Sequence, residues 1–211
     1  MHSIAIFGGT FDPIHNGHIL TSLAIQKSFQ FSSYRFIPCK VPAIKPASTA
    51  STEQRIHMLR LALKNYNQFE IDLREIKRDT PSYMVETLKS LRKDYPYASI
   101  TLILGFDAFL SLPKWYQWEK IIELANILVI NREAALAEPS STINNELLKK
   151  HQVNDKKFPL YQPAGVIYQF NAGNYPISST EIRAALKKKC IVDKQLPEEV
   201  ANYIKQQKLY S

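Results

Sequence analysis

Short apolar runs that alternate with helical spacings, the first of them halted by two consecutive glycines, leave this chain few folds to choose from. Ser3-Ile4-Ala5-Ile6-Phe7 reads as a strand that stops at Gly8-Gly9. Tyr34–Pro38, Phe69–Leu73, Ile100–Leu104, Ile127–Ile130 and Val166–Phe170 repeat the pattern, with helical stretches between them. Strands separated by helices point to parallel β–α units. Ile127-Leu128-Val129-Ile130 is apolar throughout, as expected in a sheet covered on both faces.

A helix is expected from about Gly17 to Gln26, with Ile19, Leu20, Leu23 and Ala24 on one face. Ser51 and Gln54 form a capping box that opens a second, on which Ile56, Leu59 and Leu63 align. Val85, Leu88 and Leu91 keep register in a third near 83–93, and further helices are expected near 143–150, 179–189 and 197–207. The stretch Lys40–Ala50, with Pro42 and Pro46, reads as a loop, and the polar residues 133–163 as a surface excursion. No repeat, low-complexity tract or linker interrupts the chain. The expectation is a single α/β domain over 1–211, doubly wound around a mainly parallel sheet, with C-terminal helices.

A chain of 211 residues buries roughly 70% of its unfolded surface, so it needs no disulfide or metal to hold a core. Cys39 and Cys190 are the two cysteines; they make no disulfide framework and favour a reducing compartment. No apolar run approaches the ~20 residues that span a bilayer. The opening MHSIAIFGGTFDP has no basic leader or cleavage site, so a soluble, cytoplasmic protein is expected, without a membrane partner. The net charge of +8 favours anionic partners but does not by itself separate nucleic acid, headgroups and small phosphorylated substrates.

The densest chemical signal is Gly8-Gly9-Thr10-Phe11-Asp12-Pro13-Ile14-His15-Asn16-Gly17-His18, between the first strand and the first helix. An open α/β sheet places its ligand there. Glycines at a strand end let a ligand approach the backbone, and the next helix offers free N–H groups and its positive dipole end to an anion. His15 and His18 would add two imidazole donors on one side of that helix start. The loop is neither a P-loop nor a GxGxxG fingerprint. A metal-holding pair and a purely structural pair are the rival readings of His-x-x-His, although no cysteine cluster or strong ligand motif accompanies it. A second signal is Pro176-Ile177-Ser178-Ser179-Thr180-Glu181-Ile182-Arg183. Hydroxyls before a helix are N-caps in the first place; with an arginine one turn on they also make a phosphate cradle.

His15-Asn16-Gly17-His18 and Ile177–Arg183 resemble the two signatures of the HxGH nucleotidyltransferase superfamily, whose fold is Rossmann-like. GGTFDPIHNGH, Ser82-Tyr83 before a helix, Gly105-x-Asp107, Trp115-Tyr116 and Ser-Ser-Thr-x-x-Arg, in that order, resemble the bacterial nicotinate-nucleotide adenylyltransferases from Ile4 to Tyr210. The resemblance implies adenylyl transfer from ATP to nicotinate mononucleotide, giving deamido-NAD and pyrophosphate for NAD synthesis. It implies Mg²⁺ bridging the ATP phosphates, with no metal held by the protein alone.

Carried over by residue, the resemblance puts Gly8, Gly9, Thr10 and Phe11 against the nucleotide phosphates and ribose. It makes His15, His18, Ser179, Thr180 and Arg183 donors to the ATP phosphates. Gly105 and Asp107 would serve the adenosine side, and Lys45 stands where the family keeps a lysine, here after Ala43-Ile44. Ser82, Tyr83, Met84, Trp115 and Tyr116 would frame the nicotinate mononucleotide, Trp115 by stacking. Met84 occupies a place usually held by threonine, which removes a hydroxyl near the pyridine ring.

Pantetheine-phosphate adenylyltransferases and cytidylyltransferases share His-x-Gly-His but are typically shorter and fit Trp115-Tyr116 and Ile177–Arg183 less well. A class I aminoacyl-tRNA synthetase needs tRNA-reading parts for which 211 residues leave little room. A non-catalytic RNA-binding module is a third possibility, but RNP, KH and zinc-knuckle motifs are all missing, so no nucleic-acid partner is expected. Monomer and homo-oligomer stay equally open.

Overall fold

The computed structural model describes residues 1–41, 48–131 and 142–210. Its strands are β1 (Ser3–Gly9), β2 (Ser33–Pro38), β3 (Phe69–Ile71), β4 (Ser99–Gly105), β5 (Asn126–Asn131) and β6 (Ile167–Asn171). They form one six-stranded sheet in the order β3-β2-β1-β4-β5-β6, and every neighbouring pair is parallel. The chain winds outward from β1 in one direction and then from β4 in the other. The carboxyl ends of these two strands therefore flank the crevice in which doubly wound sheets bind ligands.

The helices are α1 (Asn16–Phe29), α2 (Thr52–Leu63), α3 (Met84–Asp94), α4 (Phe106–Leu110), α5 (Glu119–Leu124), α6 (Thr142–His151), α7 (Phe158–Tyr161), α8 (Ser179–Lys187) and α9 (Glu198–Gln206). Successive strand residues point to opposite faces of the sheet, and two apolar clusters follow. Ala5, Ile103, Leu128 and Ile130 join Ile19 and Ile25 of α1, Met58 and Leu59 of α2, Ile182 of α8, and Val200 and Ile204 of α9. Ile4, Ile6, Leu102, Leu104, Ile127 and Val129 join Val85, Leu88 and Leu91 of α3, Phe109 of α4, Ile121 of α5 and Leu148 of α6. Each such aliphatic side chain contributes roughly 1.5–3 kcal/mol on burial.

The long elements lie where periodicity puts them. The Ser51–Gln54 capping box is present in both directions. Three expectations change. The buried stripe of α1 is Ile19, Ser22, Ile25 and Phe29, while Leu20 is 40% exposed. Ser22 is buried because Tyr34 of β2 donates to its hydroxyl at 2.8 Å, a partner invisible along the helix itself. The strand at Phe69 ends at Ile71, because the Asp72 carboxylate turns back to accept the Arg74 N–H. Of the stretch 133–163, residues 133–141 lie outside the described residues, and 142–163 are no mere surface excursion. Leu148 is buried, and the Pro159 carbonyl accepts hydrogen bonds from Ser99 Oγ at 2.7 Å and Thr101 Oγ1 at 3.0 Å, pinning α7 across the sheet.

Both cysteines are free, Cys39 buried and Cys190 exposed. Among the described residues no helix is long and apolar enough to cross a membrane.

Candidate active site

α1 starts directly beneath the end of β1, and a pair of histidines caps it. His15 is the N-cap, extended at φ −145° and ψ 168°. Its Nδ1 accepts the His18 N–H at 3.4 Å, while its own N–H donates to His18 Nδ1 at 3.3 Å. The rings stack with centroids 3.7 Å apart and planes 28° apart. Since each Nδ1 accepts, the proton of each neutral ring sits on Nε2. Both imidazoles thus offer N–H donors at a helix N-terminus.

Gly17 permits this stacking. A Cβ there would lie 3.0 Å from His15 Nδ1 and 3.1 Å from its Cε1. From behind, Ser22 Oγ donates to the His18 carbonyl at 2.8 Å and Tyr34 donates to Ser22. Burial pushes the Tyr34 phenol well above its usual range, so it stays a donor.

The loop between Gly9 and His15 is held from three directions. Arg55, on α2 and fully buried, donates to the carbonyls of Thr10 at 2.7 Å, Cys39 at 2.9 Å and Lys40 at 3.2 Å. The Asp12 carboxylate, 4% exposed, accepts Thr49 N–H at 2.7 Å, Ala50 N–H at 3.2 Å and the Tyr210 hydroxyl at 2.6 Å. Ser179 Oγ donates to the Pro13 carbonyl at 2.9 Å, and Arg183 Nη1 to the Asp12 carbonyl at 2.7 Å. The Asp12–Pro13 peptide is cis. Phe11 stands at φ 50°, a left-handed backbone that side chains rarely adopt. Its ring, 2% exposed, packs edge-on to Phe7 and His18. The glycines serve this packing: a Cβ at Gly9 would meet the Phe11 ring at 2.9 Å, and one at Gly8 the Met84 methyl at 2.8 Å.

α8 closes the same wall. Ser178, not Ser179, is its N-cap and accepts the Glu181 N–H. Arg183 Nη2 reaches Thr180 Oγ1 at 3.4 Å. Two helix N-termini, two imidazoles and one guanidinium therefore converge on one loop, an arrangement built for polyanions.

The opposite wall carries the other group of expected residues. Gly105 ends β4 in the open, with nothing within 4 Å of where its Cβ would be, and Asp107 is exposed on the first turn of α4. Tyr83 precedes α3 and lies 4.6 Å, between ring centroids, from Tyr116. Trp115 is half-buried and donates through Nε1 to Ser111 Oγ at 3.3 Å. Ser82 Oγ accepts the Lys40 N–H at 2.9 Å, which ties this wall to the end of β2. Below it, burial pushes the Glu75 carboxyl up, and Thr87 donates to it at 2.6 Å. Lys45 lies outside the described residues.

Residues 8–18 and 179–183 thus come together on one side, and 82–84 with 116 on the other, with the Met84–Gly8 contact joining them. Among the described residues no group of three or more His, Cys, Asp or Glu could hold a metal ion. Asp12, Arg55 and Tyr210 have no role in the sequence-based expectation although they shape the loop. Arg55 left one usable signal, an arginine on the face that carries Met58, Leu59 and Ala62. Tyr210 left none, being 198 positions from its partner.

The cytidylyltransferase-like family matches residues 6–185. A probable nicotinate-nucleotide adenylyltransferase of Legionella pneumophila (strain Paris) is 60% identical over 210 residues, covering 100% of both chains. One from Methylococcus capsulatus is 36% identical over 209 residues and 99% of each chain. Among solved structures, Plasmodium falciparum nicotinic acid mononucleotide adenylyltransferase complexed with NaAD superposes with a TM-score of 0.74, at 20% identity, over 100% of this chain and 98% of that one.

Proposed function

Because the chain belongs to the cytidylyltransferase-like family and, within it, to the nicotinate-nucleotide adenylyltransferases, we propose that it transfers the adenylyl group of ATP to nicotinate mononucleotide. The products are nicotinate adenine dinucleotide and pyrophosphate, and the place of action is cytoplasmic NAD synthesis. One nucleotidyltransferase domain over residues 1–211 carries the reaction.

The acceptor is its own nucleophile. A phosphate monoester has a second pKa near ~6 and is mostly dianionic at neutral pH, so no protein base is needed. Its oxygen bonds to the α-phosphorus as the bond to the β-bridging oxygen breaks, and the electron pair leaves on pyrophosphate. Negative charge grows on the leaving group, and the protein's task is to position it and stabilise that charge.

The reciprocal cap of His15 and His18 carries this reading. It engages both Nδ1 atoms with backbone N–H groups and so fixes the two rings before any ligand arrives; on this reading Nε2–H of each ring is the group assigned to the phosphates. Arg183, Ser179, Thr180 and the 42–47 segment's Lys45 complete the donor side, with Gly8, Gly9, Thr10 and Phe11 against the phosphates and ribose. Gly105 and Asp107 take the adenosine side. Trp115, Tyr116, Ser82, Tyr83 and Met84 receive the acceptor's ring.

A Mg²⁺ brought in with ATP would share the triphosphate with His15, His18, Ser179, Thr180 and Arg183, whose imidazole, hydroxyl and guanidinium groups would contact the phosphates beside it. When bound, that ion neutralises charge on the triphosphate.

Pyrophosphate release from ATP is the test, with nicotinate mononucleotide, nicotinamide mononucleotide and phosphopantetheine offered separately. Nicotinate mononucleotide is expected to be the preferred acceptor. Preference for phosphopantetheine would overturn the assignment.

A further inference from the structure

We infer that Tyr210 is a positioning residue for adenylyl transfer, one that sets Arg183 and the 10–15 loop through the carboxylate of Asp12. This rests on the function proposed above. The Tyr210 hydroxyl donates to Asp12 Oδ1 at 2.6 Å, and the backbone carbonyl of the same aspartate accepts from Arg183 Nη1 at 2.7 Å. One residue is thereby gripped at both ends, by a phenol on its side chain and by a guanidinium on its main chain. The next carbonyl, that of Pro13, accepts from Ser179, which opens α8. Moving Asp12 therefore moves the anchor of Arg183 and the entry to the histidine cap together.

The other donors to Asp12 are the peptide N–H groups of Thr49 and Ala50. Oδ2 has the short bond to Thr49, at 2.7 Å, whereas Oδ1 has only the 3.2 Å contact with Ala50 besides Tyr210. Without the phenol, Oδ1 keeps only the longer contact with Ala50, and the carboxylate is held chiefly through Oδ2. A phenol also suits the place chemically. It is neutral, so it holds the carboxylate without repelling Arg183 or competing for ligand anions as a lysine would. Burial first, and then the hydrogen bond and charge of Asp12, push the Tyr210 phenol well above its usual range, so it remains a donor.

A packing role is separable from this one. Tyr210 is 7% exposed and its ring belongs to the apolar cluster with Val200 and Ile204. Tyr210→Phe keeps the ring and removes the hydrogen bond alone. Tyr97→Phe, at a site 85% exposed, serves as the hydroxyl-deletion control.

The experiment compares wild type, Tyr210→Phe, Tyr97→Phe, Arg183→Lys and the Tyr210→Phe/Arg183→Lys double variant. Steady-state pyrophosphate release is measured on each, and ATP affinity by equilibrium titration without acceptor. Tyr210→Phe is expected to lower kcat about tenfold, the scale of a sub-ångström misplacement of reacting groups, with ATP affinity reduced and KM for nicotinate mononucleotide within about twofold of wild type. Added to Arg183→Lys it should cost less than its effect alone, since the two residues act through one anchor.

Unchanged kcat and ATP affinity would overturn the inference. So would losses that multiply fully with those of Arg183→Lys, or a loss that vanishes on cooling below the onset of melting. Wild type that releases no pyrophosphate with nicotinate mononucleotide would overturn the functional assignment instead. The ATP titrations would still decide whether Tyr210 sets the anion site.

Discussion

The imidazoles of His15 and His18 stack at 3.7 Å while each accepts the other residue's backbone N–H through Nδ1. Two residues three apart thus fix one another's tautomer and aim. His18→Ala removes a preorganised Nε2–H donor together with half of the cap. The expected result is a kcat lower by about a hundredfold or more, with a much smaller change in ATP affinity. Steady-state kinetics beside an ATP titration on the folded variant check it; a kcat within twofold of wild type refutes the assigned role.

Gly17→Ala probes the same pair by crowding. Its methyl would sit 3.0 Å from His15 Nδ1, 3.1 Å from Cε1 and 3.4 Å from Ile177 Cβ, so the ring must yield by a few tenths of an ångström. Alanine favours helix over glycine by up to ~1 kcal/mol, which offsets the crowding in stability. The expectation is a melting temperature near wild type with kcat reduced several-fold. Unaltered turnover would show that the exact stacking of the rings is immaterial.

Arg183→Lys keeps the charge and loses the fork. The guanidinium donates to Asp12 O and Thr180 Oγ1 at once, which a single ammonium on a flexible stem does not reproduce. Losing one charged hydrogen bond corresponds to at least about tenfold in kcat/KM. Equal catalytic efficiency in the two proteins would remove bidentate geometry from the account.

Arg55→Met tests the clamp beneath the loop. The carbonyls of Thr10, Cys39 and Lys40 would lose their donor inside the protein. A cost of about 3 kcal/mol is expected, or roughly 6–12 °C in Tm for a domain of this size. Thermal melts read it directly, and a shift under 2 °C would mean the loop finds other partners.

Trp115→Ala should raise KM for nicotinate mononucleotide about two- to thirteenfold, from an aromatic stacking contribution of ~0.5–1.5 kcal/mol, and leave ATP affinity unchanged. In the intact protein the acid mononucleotide should outcompete the amide, because oriented peptide N–H groups satisfy a carboxylate that an amide NH₂ would oppose. Equal consumption of the two in one pot would widen the substrate assignment, with Met84, whose methyl lies against Gly8, the first residue to substitute.

Strand and helix periods in this chain are plain in most elements long enough to complete one, although the 14-residue α1 hides its buried face behind Ser22. β1, β4 and β5 and the apolar stripes of α2 and α3 are readable residue by residue. α4, α5 and α7 have 5, 6 and 4 residues, too short for an apolar face to repeat, and they go unread. The two halves of the proposed phosphate wall are legible because their residues are local runs, 8–18 and 176–183. The parts that aim them are not local: Arg55 reaches back 45 positions to Thr10, and Tyr210 reaches 198 to Asp12. Contacts of that span are products of the fold, and no window of sequence contains both partners.

The two faces of the sheet back different halves of the crevice. Phe11, Ile14, Ile182 and Tyr210 rest on one apolar cluster, whereas Tyr83, Met84, Phe106 and Trp115 rest on the other. On the proposed assignment, the grip on the triphosphate and the reading of the acceptor are therefore anchored in separate layers, with β1 and β4 as their common partition. If those roles hold, such a division would let residues on α3 and around Trp115 change toward a different phosphomonoester without disturbing the side assigned to the leaving pyrophosphate. A single sheet, wound in two directions, in this way lets one chemistry be kept and its recipient be changed.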